Sequence, residues 1–172
     1  MNREEVILVN EADEQIGVME KMEAHEKGLL HRAFSVFIFN DKGEMLLQQR
    51  ALNKYHSGGL WTNACCSHPR PGEDTLQAAK RRLMEEMGIE TSLTLKNSFT
   101  YKTAFENGLT EHEFDHIFIG TFNQEPKVNS TEVNSYCWKS VESVKNSVKQ
   151  MPDIYTSWFK IALDKVFSPG RG

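Results

Sequence analysis

The sequence lacks the features of a membrane-spanning protein, a disulfide-stabilised protein and a general nucleic-acid binder. Its longest apolar run, Phe34–Phe39, is broken by Ser35 and falls far short of the roughly 20 residues of a transmembrane helix. The 3 cysteines, two of them adjacent, cannot form a disulfide framework, which favours a reduced protein. A net charge of −4 is opposite to the basic excess of nucleic-acid binders. We therefore expect a cytoplasmic protein without a membrane or nucleic-acid partner.

Linkers, repeats and low-complexity tracts are also missing, and residues 1–5 do not have the pattern of a signal peptide. Hydrophobic residues make up 39% of the chain and charged residues 26%, as in ordinary globular proteins. A length of 172 residues is sufficient for one domain with a full hydrophobic core. The sequence therefore predicts one domain over residues 1–172.

The apolar pattern predicts an α+β fold. Both faces of His31–Asn40 are largely apolar, which indicates a strand covered on both sides. Gly88 follows a stripe of apolar residues at helical spacing and predicts the end of a helix. The predicted strands are Glu5–Val9, Ile16–Met19, His31–Asn40, Glu44–Arg50, Leu93–Tyr101, Glu111–Phe122 and Tyr136–Lys139. The predicted helices are Lys21–Lys27, Glu73–Met87, a short one through Val141, Val144 and Val148, and Ile154–Phe167. This order favours an α/β/α sandwich around a mixed β-sheet.

A cysteine and a histidine lie close together in residues 65–69. In an extended segment Cys66 and His68 point to the same side, and Cys65 points to the other side. A cysteine among polar groups can be reactive, whereas a cysteine among apolar groups is usually structural. The pattern indicates a reactive sulfur beside a metal or a base. Cys137, in a strand-like run, is expected to be a core or neutral residue.

Imidazoles and carboxylates elsewhere in the chain form a candidate metal-binding set. Glu111 and Glu113 would project from one face of a strand, and His112 and His116 from the opposite face. Nitrogen and oxygen donors suit Mn, Fe, Zn or Mg, and five of them favour an octahedral ion over structural zinc. The alternative is that these side chains are simply exposed to solvent. The candidate ligands are His25, His31, His68, Glu111 and Glu113.

Charged residues follow a helical spacing in the Glu73–Met87 segment. Arg81 and Glu85 are four residues apart, as are Arg82 and Glu86. They are either surface ion pairs of little energetic value, or a guanidinium and a carboxylate that face a metal–diphosphate. Further cations suited to phosphate oxygens are Lys21, Arg50 and Lys54.

Residues 73–89 resemble the Nudix box, G-x5-E-x7-R-E-U-x-E-E-x-G-U. Ser67 stands in place of its first glycine, and Arg82 in place of the glutamate that follows its arginine. These departures, together with residues 61–69 and the Glu111-His112-Glu113 motif, resemble the type I isopentenyl diphosphate isomerases, which are Nudix-like proteins. The resemblance covers nearly the whole chain.

The resemblance implies isomerisation of isopentenyl diphosphate to dimethylallyl diphosphate in isoprenoid biosynthesis. The alkene is protonated to a tertiary carbocation, which then loses a proton from the neighbouring carbon. In this reading Cys66 and Glu113 transfer the two protons, and Tyr101 assists proton delivery. Trp158 faces the cation, although its periodicity alone indicates core packing.

The resemblance also implies two metal ions and a diphosphate site. A divalent ion (Mn²⁺, Mg²⁺ or Zn²⁺) would occupy the His/Glu set, and Glu86 would bind an Mg²⁺ that bridges diphosphate oxygens. The partner would be a small-molecule diphosphate, and the protein a monomer or a weak homodimer. The implied diphosphate contacts are Lys21, Arg50, Lys54 and Arg82.

Two other functions remain open at this point. A Nudix-type diphosphate hydrolase fits the helix motif, but Arg82 removes a glutamate that helps to assemble the hydrolytic metal cluster. In a hydrolase Cys66 and Glu113 would also lack a role. A non-catalytic metal-binding module fits the His/Glu set, and it predicts that the metal supports stability only. Isomerisation of isopentenyl diphosphate would distinguish the first reading from both alternatives.

Overall fold

The structure is a computed structural model that describes residues 4–54, 57–105 and 107–167. These residues form one mixed sheet of nine strands. The strands are β1 (Glu5–Val9), β2 (Gln15–Glu20), β3 (His31–Phe39), β4 (Glu44–Arg50), β5 (Trp61–Thr62), β6 (Cys65–Ser67), β7 (Thr94–Ala104), β8 (Thr110–Thr121) and β9 (Val133–Ser140). Two of them, β5 and β6, are short strands on either side of Asn63 and Ala64 that periodicity did not reveal.

Four helices accompany the sheet in the described part of the chain. They are α1 (Lys21–Lys27), α2 (Thr75–Met87), α3 (Val141–Gln150) and α4 (Ser157–Val166). Helix α2 ends as predicted, because Gly88 adopts a left-handed conformation with a φ of 64° and its backbone N–H donates to the carbonyl oxygen of Met84. None of these helices has the length and hydropathy needed to cross a membrane.

Two helix starts differ from the prediction by two or three residues, because a capping residue lies inside each predicted range. The side chain of Asp74 accepts a hydrogen bond from the backbone N–H of Gln77, so α2 begins at Thr75 and not at Glu73. Thr156 caps α4 in the same way. The chain before Thr156 is a short 3₁₀ helix, Pro152–Ile154, so Ile154 is not part of α4.

Strand β3 is central to the sheet. It pairs in parallel with β8 and antiparallel with β1, β4 and β6. The long strand β7 flanks β8, and β9 flanks β4, both antiparallel. The parallel pair places His31 opposite Glu113, which brings two of the candidate ligands together.

Two hydrophobic cores cover the two faces of the sheet. On β3, Phe34, Val36 and Ile38 belong to one core, and Phe37 belongs to the other. Helix α2 packs on the first core, and α3 and α4 pack on the second. The predicted α/β/α sandwich is therefore confirmed, and the alternation along β3 explains why both of its faces are apolar.

Candidate active site

Four side chains from separate elements converge at one end of β3 and β8. His25 lies in α1, His31 begins β3, His68 follows β6 and Glu113 lies in β8. One potential ligand atom from each lies within 4.8 Å of the others. The ring centroid of His31 lies 5.1 Å from that of His25 and 5.0 Å from that of His68. This cluster contains four of the five predicted ligands.

Hydrogen bonds to the backbone fix the orientation of two of the imidazoles. Nδ1 of His25 lies 2.8 Å from the carbonyl oxygen of Lys21, and Nδ1 of His31 lies 2.9 Å from that of Leu29. A carbonyl only accepts, so each Nδ1 carries a hydrogen. In the neutral rings Nε2 then carries the lone pair, which is the part of an imidazole that binds a metal ion in most protein metal sites.

In this arrangement the lone pairs of a ring nitrogen and a carboxylate oxygen face each other, which is unfavourable unless a cation lies between them. Nε2 of His31 is 3.2 Å from Oε2 of Glu113, and Nε2 of His68 is 2.7 Å from the same oxygen. A neutral His31 that donates through Nδ1 has only a lone pair to offer to this carboxylate. The donor set therefore fits a divalent cation, which would bind the imidazole nitrogens and the carboxylate together.

Glu111, the fifth predicted ligand, lies beside this cluster. Its Oε2 is 3.7 Å from Nε2 of His25, and it accepts a short hydrogen bond from the hydroxyl of Tyr101. The same hydroxyl lies 2.6 Å from Oε1 of Glu113. Tyr101 therefore joins the two carboxylates, and its pKa is raised by burial and by their charges.

Burial and contacts with neighbouring groups shift the pKa values of these side chains in different directions. Burial lowers the pKa of His68 to about 4, so the ring is neutral at pH 7. Burial would raise the pKa of Glu113, but its contacts with His68 and His31 outweigh burial, and its pKa falls well below the ordinary value. Burial and the charge of Glu113 raise the pKa of Glu111. Neutral imidazoles and an ionised carboxylate are the forms that bind metal ions.

Cys66 is surrounded by polar side chains. Its Sγ lies 3.0 Å from Oδ1 of Asn63 and 3.6 Å from Oγ of Ser35. Ser35 in turn donates to Oδ2 of Asp115 over 2.7 Å. Burial and the nearby carboxylate of Asp115 raise the pKa of the Cys66 thiol, so the group carries its proton at neutral pH. A protonated thiol in this position can act as a proton donor.

Cys65 points to the opposite side of β6, as the alternation predicts. It is fully buried in the core under α2, and its Sγ lies 3.5 Å from Oε2 of Glu86. The amide of Gln48 donates to the other oxygen of Glu86 over 3.3 Å, and Arg82 contacts Oε2 over 3.2 Å. Glu86 is thus a buried carboxylate held by three side chains. Cys137 is half-buried in β9 and packs against the second core, in agreement with the prediction.

Four cations line one cavity with these groups, and they are the residues for which the sequence predicts diphosphate contacts. Arg82, in α2, is 18% exposed, and its pKa is raised by Glu86 and Glu85 despite its burial. Two carboxylates that the sequence did not single out neutralise the lysines: Glu4 lies 2.6 Å from Nζ of Lys21, and Glu132 forms a short ion pair with Lys54. The guanidinium of Arg50 lies 5.0 Å from the ring centroid of Trp158.

Trp158 belongs to the second core and also lines the cavity. It is 4% exposed, and its ring forms an edge contact with that of Phe105 at 6.4 Å. The core packing predicted from periodicity is therefore confirmed, and the role of Trp158 toward the cation stays a prediction. The cavity has a volume of about 150 Å³. Its lining consists of Glu4, Lys21, Arg50, Lys54, Cys66, Ser67, His68, Arg82, Glu86, Glu111, Glu113, Glu132 and Trp158.

The two histidines on the other face of β8 stay outside the site. Nδ1 of His112 lies 3.3 Å from the carbonyl oxygen of Gly28. His116 bonds to Asp13 and to the carbonyl oxygen of Ala33. No bulge interrupts β8 between residues 110 and 117, so the alternation separates these rings from Glu111 and Glu113 as expected.

Several polar residues around the site were not predicted from the sequence. Ser35 and Gln48 lie in strands that otherwise read as core, and Glu132 lies just before β9. Asp115 shares the acidic face of Glu111 and Glu113, so the strand alternation indicated its position. Its Oδ1 has no hydrogen-bond partner among the described residues, and burial raises its pKa well above the ordinary value.

Comparisons with known proteins identify the family of this chain. The NUDIX domain model matches residues 29–159. The chain is 51% identical to the isopentenyl-diphosphate Delta-isomerase of Pectobacterium atrosepticum, over 94% of this chain and 90% of that protein. It is 47% identical to isopentenyl-diphosphate Delta-isomerase 2 of Aromatoleum aromaticum, over 96% of this chain and 87% of that protein.

Solved structures show the same fold at low sequence identity. A crystal structure from Deinococcus radiodurans has a TM-score of 0.80 and 19% identity, and covers 96% of this chain and 100% of its own. The MutT protein of Methanosarcina mazei has a TM-score of 0.66 and 19% identity, over 80% of this chain and 92% of its own. These two likenesses concern the fold alone. The family model and the curated relatives establish that this chain belongs to the isopentenyl-diphosphate Delta-isomerase family of NUDIX-domain proteins.

Proposed function

We propose that this protein converts isopentenyl diphosphate to dimethylallyl diphosphate, in isoprenoid biosynthesis. The observation that carries the proposal is the lining of one cavity by the thiol of Cys66 and the carboxyl group of Glu113, beside a cluster of cations. Moving a double bond by one carbon requires one group that donates a proton and one that removes a proton. The family to which the chain belongs acts on a substrate that presents a diphosphate to such cations.

Cys66 and Glu113 are proposed as the two proton-transfer groups. The alkene gains a proton at its terminal carbon, which leaves a tertiary carbocation, and the neighbouring carbon then loses a proton. The hydroxyl of Tyr101, 2.6 Å from Oε1 of Glu113, can pass a proton to that carboxylate. Because β6 and β8 approach the cavity from different sides of β3, they can present the two groups to opposite faces of a flat alkene.

The diphosphate is proposed to bind Lys21, Arg50, Lys54 and Arg82. Nε of Arg82 is buried with no hydrogen-bond partner among the described residues, so it can donate to a phosphate oxygen. Diphosphate binding would exchange the ion pairs with Glu4 and Glu132 for contacts to phosphate oxygens. Glu86 would hold an Mg²⁺ that neutralises part of the diphosphate charge.

Trp158 is proposed to face the carbocation. An indole ring attracts a cation through its quadrupole, and the attraction grows where water is excluded. The buried position of Trp158 also helps to keep water from the cation, which water would otherwise trap as an alcohol.

His25, His31, His68, Glu111 and Glu113 are proposed to hold a divalent ion, Mn²⁺, Mg²⁺ or Zn²⁺. When bound, the ion would tune the acidity of the Glu113 carboxyl and of the Tyr101 hydroxyl through its positive charge. The tight cluster of three imidazoles and Glu113 supports this assignment. The ion would also relieve the opposed lone pairs of His31 and Glu113.

The two alternatives explain fewer of the contacts. In a diphosphate hydrolase the helix would present a carboxylate where Arg82 stands, and here that guanidinium binds Glu85 and Glu86 instead. A non-catalytic metal-binding module gives no reason for a polar pocket around Cys66 next to the cations. The isomerase accounts for both.

The deciding experiment incubates the purified protein with Mg²⁺ and isopentenyl diphosphate in D₂O. We expect dimethylallyl diphosphate that carries deuterium from the solvent, detected by NMR and mass spectrometry. Release of inorganic phosphate without an allylic product would instead support a hydrolase. The absence of both products, with metal bound, would support a binding module.

The cytoplasm is the proposed location. All three cysteines are free thiols in the structure, and a reducing compartment keeps them so. We further propose a monomer or a weak homodimer that has no nucleic-acid or membrane partner. Sedimentation over a range of protein concentrations measures the oligomeric state.

A further inference from the structure

We propose that Asn63 is a positioning residue for Cys66, and that a buried chain of hydroxyl groups links it to the helix that carries Trp158. Its amide oxygen holds the thiol in one orientation. Through Thr62 and Thr156 the same oxygen is tied to the start of α4. The inference rests on the proposed role of Cys66 in proton transfer.

Two backbone carbonyls determine which way the amide of Asn63 faces. Asn63 is fully buried, and its Nδ2 donates to the carbonyl oxygens of Val36 over 2.8 Å and of Cys65 over 3.0 Å. A carbonyl can only accept, so the opposite assignment of the amide would lose both bonds. The amide oxygen, Oδ1, must therefore face away from these carbonyls.

On that side Oδ1 meets two donors. The Sγ of Cys66 lies 3.0 Å away, and the hydroxyl of Thr62 donates over 2.9 Å. An amide oxygen has two lone pairs, and these two bonds use both. Oγ of Ser35, 3.6 Å from Sγ, already donates to Asp115 and so offers the thiol only a lone pair. The nearer acceptor, Oδ1 of Asn63, thus holds the S–H bond of Cys66 in a defined direction.

The hydroxyl of Thr62 continues the chain toward α4. It accepts from Oγ1 of Thr156 over 3.1 Å, and that oxygen accepts from the backbone N–H of Phe159 over 3.2 Å. Thr62 is 2% exposed and Thr156 is fully buried, so water does not replace these bonds. Thr156 is the N-cap of α4, two residues before Trp158.

One continuous network therefore sets the positions of the sulfur and of the indole. The backbone reinforces it, because the N–H of Thr156 donates to the carbonyl oxygen of Trp61 over 3.0 Å. A fully satisfied buried network favours a single arrangement of its members. Catalysis depends on such precision, since displacing a reacting group by about 1 Å can lower a rate about 100-fold. The network does not include the proposed diphosphate contacts, so it should affect turnover and leave substrate affinity unchanged.

A matched pair of variants at Thr62 tests the chain. Thr62→Val keeps the shape of the side chain and removes the hydroxyl, and Thr62→Ser keeps the hydroxyl. We expect kcat for isopentenyl diphosphate to fall about tenfold in Thr62→Val, with KM within about twofold of wild type. Thr62→Ser should retain kcat within about threefold of wild type. Equal losses in the two variants, or a loss in KM alone, would overturn the proposal.

A second measurement does not depend on activity. The S–H stretching band of Cys66 is isolated as the infrared difference between wild type and Cys66→Ala. We expect this band at the lower frequency of a strongly hydrogen-bonded thiol, and a shift to higher frequency in Asn63→Ala. The band of Cys137, far along the chain in β9, should stay unchanged and serves as the internal reference.

The two readouts separate the failure of this inference from failure of the proposed function. If the wild-type protein does not isomerise isopentenyl diphosphate but the band shifts in Asn63→Ala, the function is wrong and the positioning contact stands. If the protein isomerises and the wild-type band is that of a weakly bonded thiol, the positioning role is wrong. If Asn63→Ala does not fold, the S–H band of Cys66 is compared between Thr62→Val and Thr62→Ser. We expect different frequencies in the two variants, and this comparison then decides whether the positioning role holds.

Discussion

His68 and Glu113 meet through a contact of 2.7 Å between Nε2 and Oε2, although they lie 45 residues apart in the chain. This contact joins the segment of Cys66 to the acidic face of β8. It brings a thiol, a carboxylate and three imidazoles to one end of the sheet.

The cysteine and glutamate proposed for proton transfer should each be essential. Cys66→Ala and Glu113→Gln should lower the rate of deuterium incorporation from D₂O into the allylic product about 10²- to 10⁴-fold, because each removes a group that moves a proton. Circular dichroism should remain that of the wild type. Cys137→Ala is the control and should keep full activity. Wild-type incorporation in Cys66→Ala would refute its role.

Metal removal should destabilise the protein through the His/Glu cluster. A metal ion that binds only the folded state, at a free concentration about 100-fold above its Kd, should raise Tm by about 5–10 °C. We expect EDTA to abolish this increase, and His31→Asn to eliminate it with metal present. His112→Asn, on the opposite face of β8, should keep the full increase. An equal effect of the two variants would contradict the proposed site.

The ion pair between Lys54 and Glu132 should oppose diphosphate binding. In Glu132→Gln the lysine no longer has this competing anion, so we expect the Kd for Mg²⁺–pyrophosphate to fall about three- to tenfold. Lys54→Ala should raise Kd by a similar factor. Calorimetry in low and high salt measures both effects, which salt should weaken. Weaker binding by Glu132→Gln would show that the carboxylate helps to hold the anion.

Trp158 should act on turnover through its aromatic ring. Trp158→Leu removes a cation–π interaction of about 2 kcal/mol, so kcat should fall roughly 30-fold with little change in KM. Trp158→Phe should lose less, because it keeps a ring. Phe159→Leu is the control in the same helix, and it should lower Tm while kcat is retained. Equal kcat losses in Trp158→Leu and Phe159→Leu would indicate a packing role only.

The ion pair between Glu73 and Arg81 should stabilise the fold at neutral pH and lose this effect in acid. Arg81 donates from Nε over 2.8 Å and from an Nη over 2.9 Å, and these bonds lower the pKa of Glu73 below its ordinary value of 4.5. A pKa that is lower in the folded state gives stability that is present above about pH 4.5 and is lost as the pH falls through the folded value. Both side chains are about one-fifth exposed, so the contribution should be of order 1 kcal/mol.

Glu73→Gln tests this pair. The variant should have a lower free energy of unfolding at pH 7 than the wild type, and the difference should shrink as the pH falls below 4.5. Urea titrations at several pH values measure it. Glu90→Gln removes an exposed carboxylate close in sequence and should show no such trend. A difference that stays constant with pH would assign the effect to packing.

Much of the fold could be predicted because its elements have clear periods. The alternation of β8 placed Glu111, Glu113 and Asp115 on one face, and Gly88 marked the end of α2. The errors in the predicted boundaries lie where helix capping and strand pairing determine the ends of an element. Ile154 belongs to a 3₁₀ helix, because Thr156 caps α4 and the residue between them, Tyr155, pairs with Trp61.

The candidate site was predicted less completely, because most of its supporting residues read as ordinary core. Gln48 donates to Glu86 from a strand whose pattern is apolar, and Ser35 bonds to Asp115 from the centre of β3. Neither residue has a motif that distinguishes it from a buried polar residue without a function. Their partners lie on other elements, so only the tertiary structure identifies them.

The sequence by itself determined the chemical groups and the faces on which they lie. Side-chain alternation is a local property, so it set Cys66 and His68 on one side of β6, and Cys65 on the other. Tertiary structure alone decided which groups meet. His31 reaches Glu113, 82 residues away, because β3 and β8 pair in parallel with these residues opposite each other. A one-residue shift of that register would bring His112 to the metal cluster in place of Glu113, since the side chains of a strand alternate between its faces.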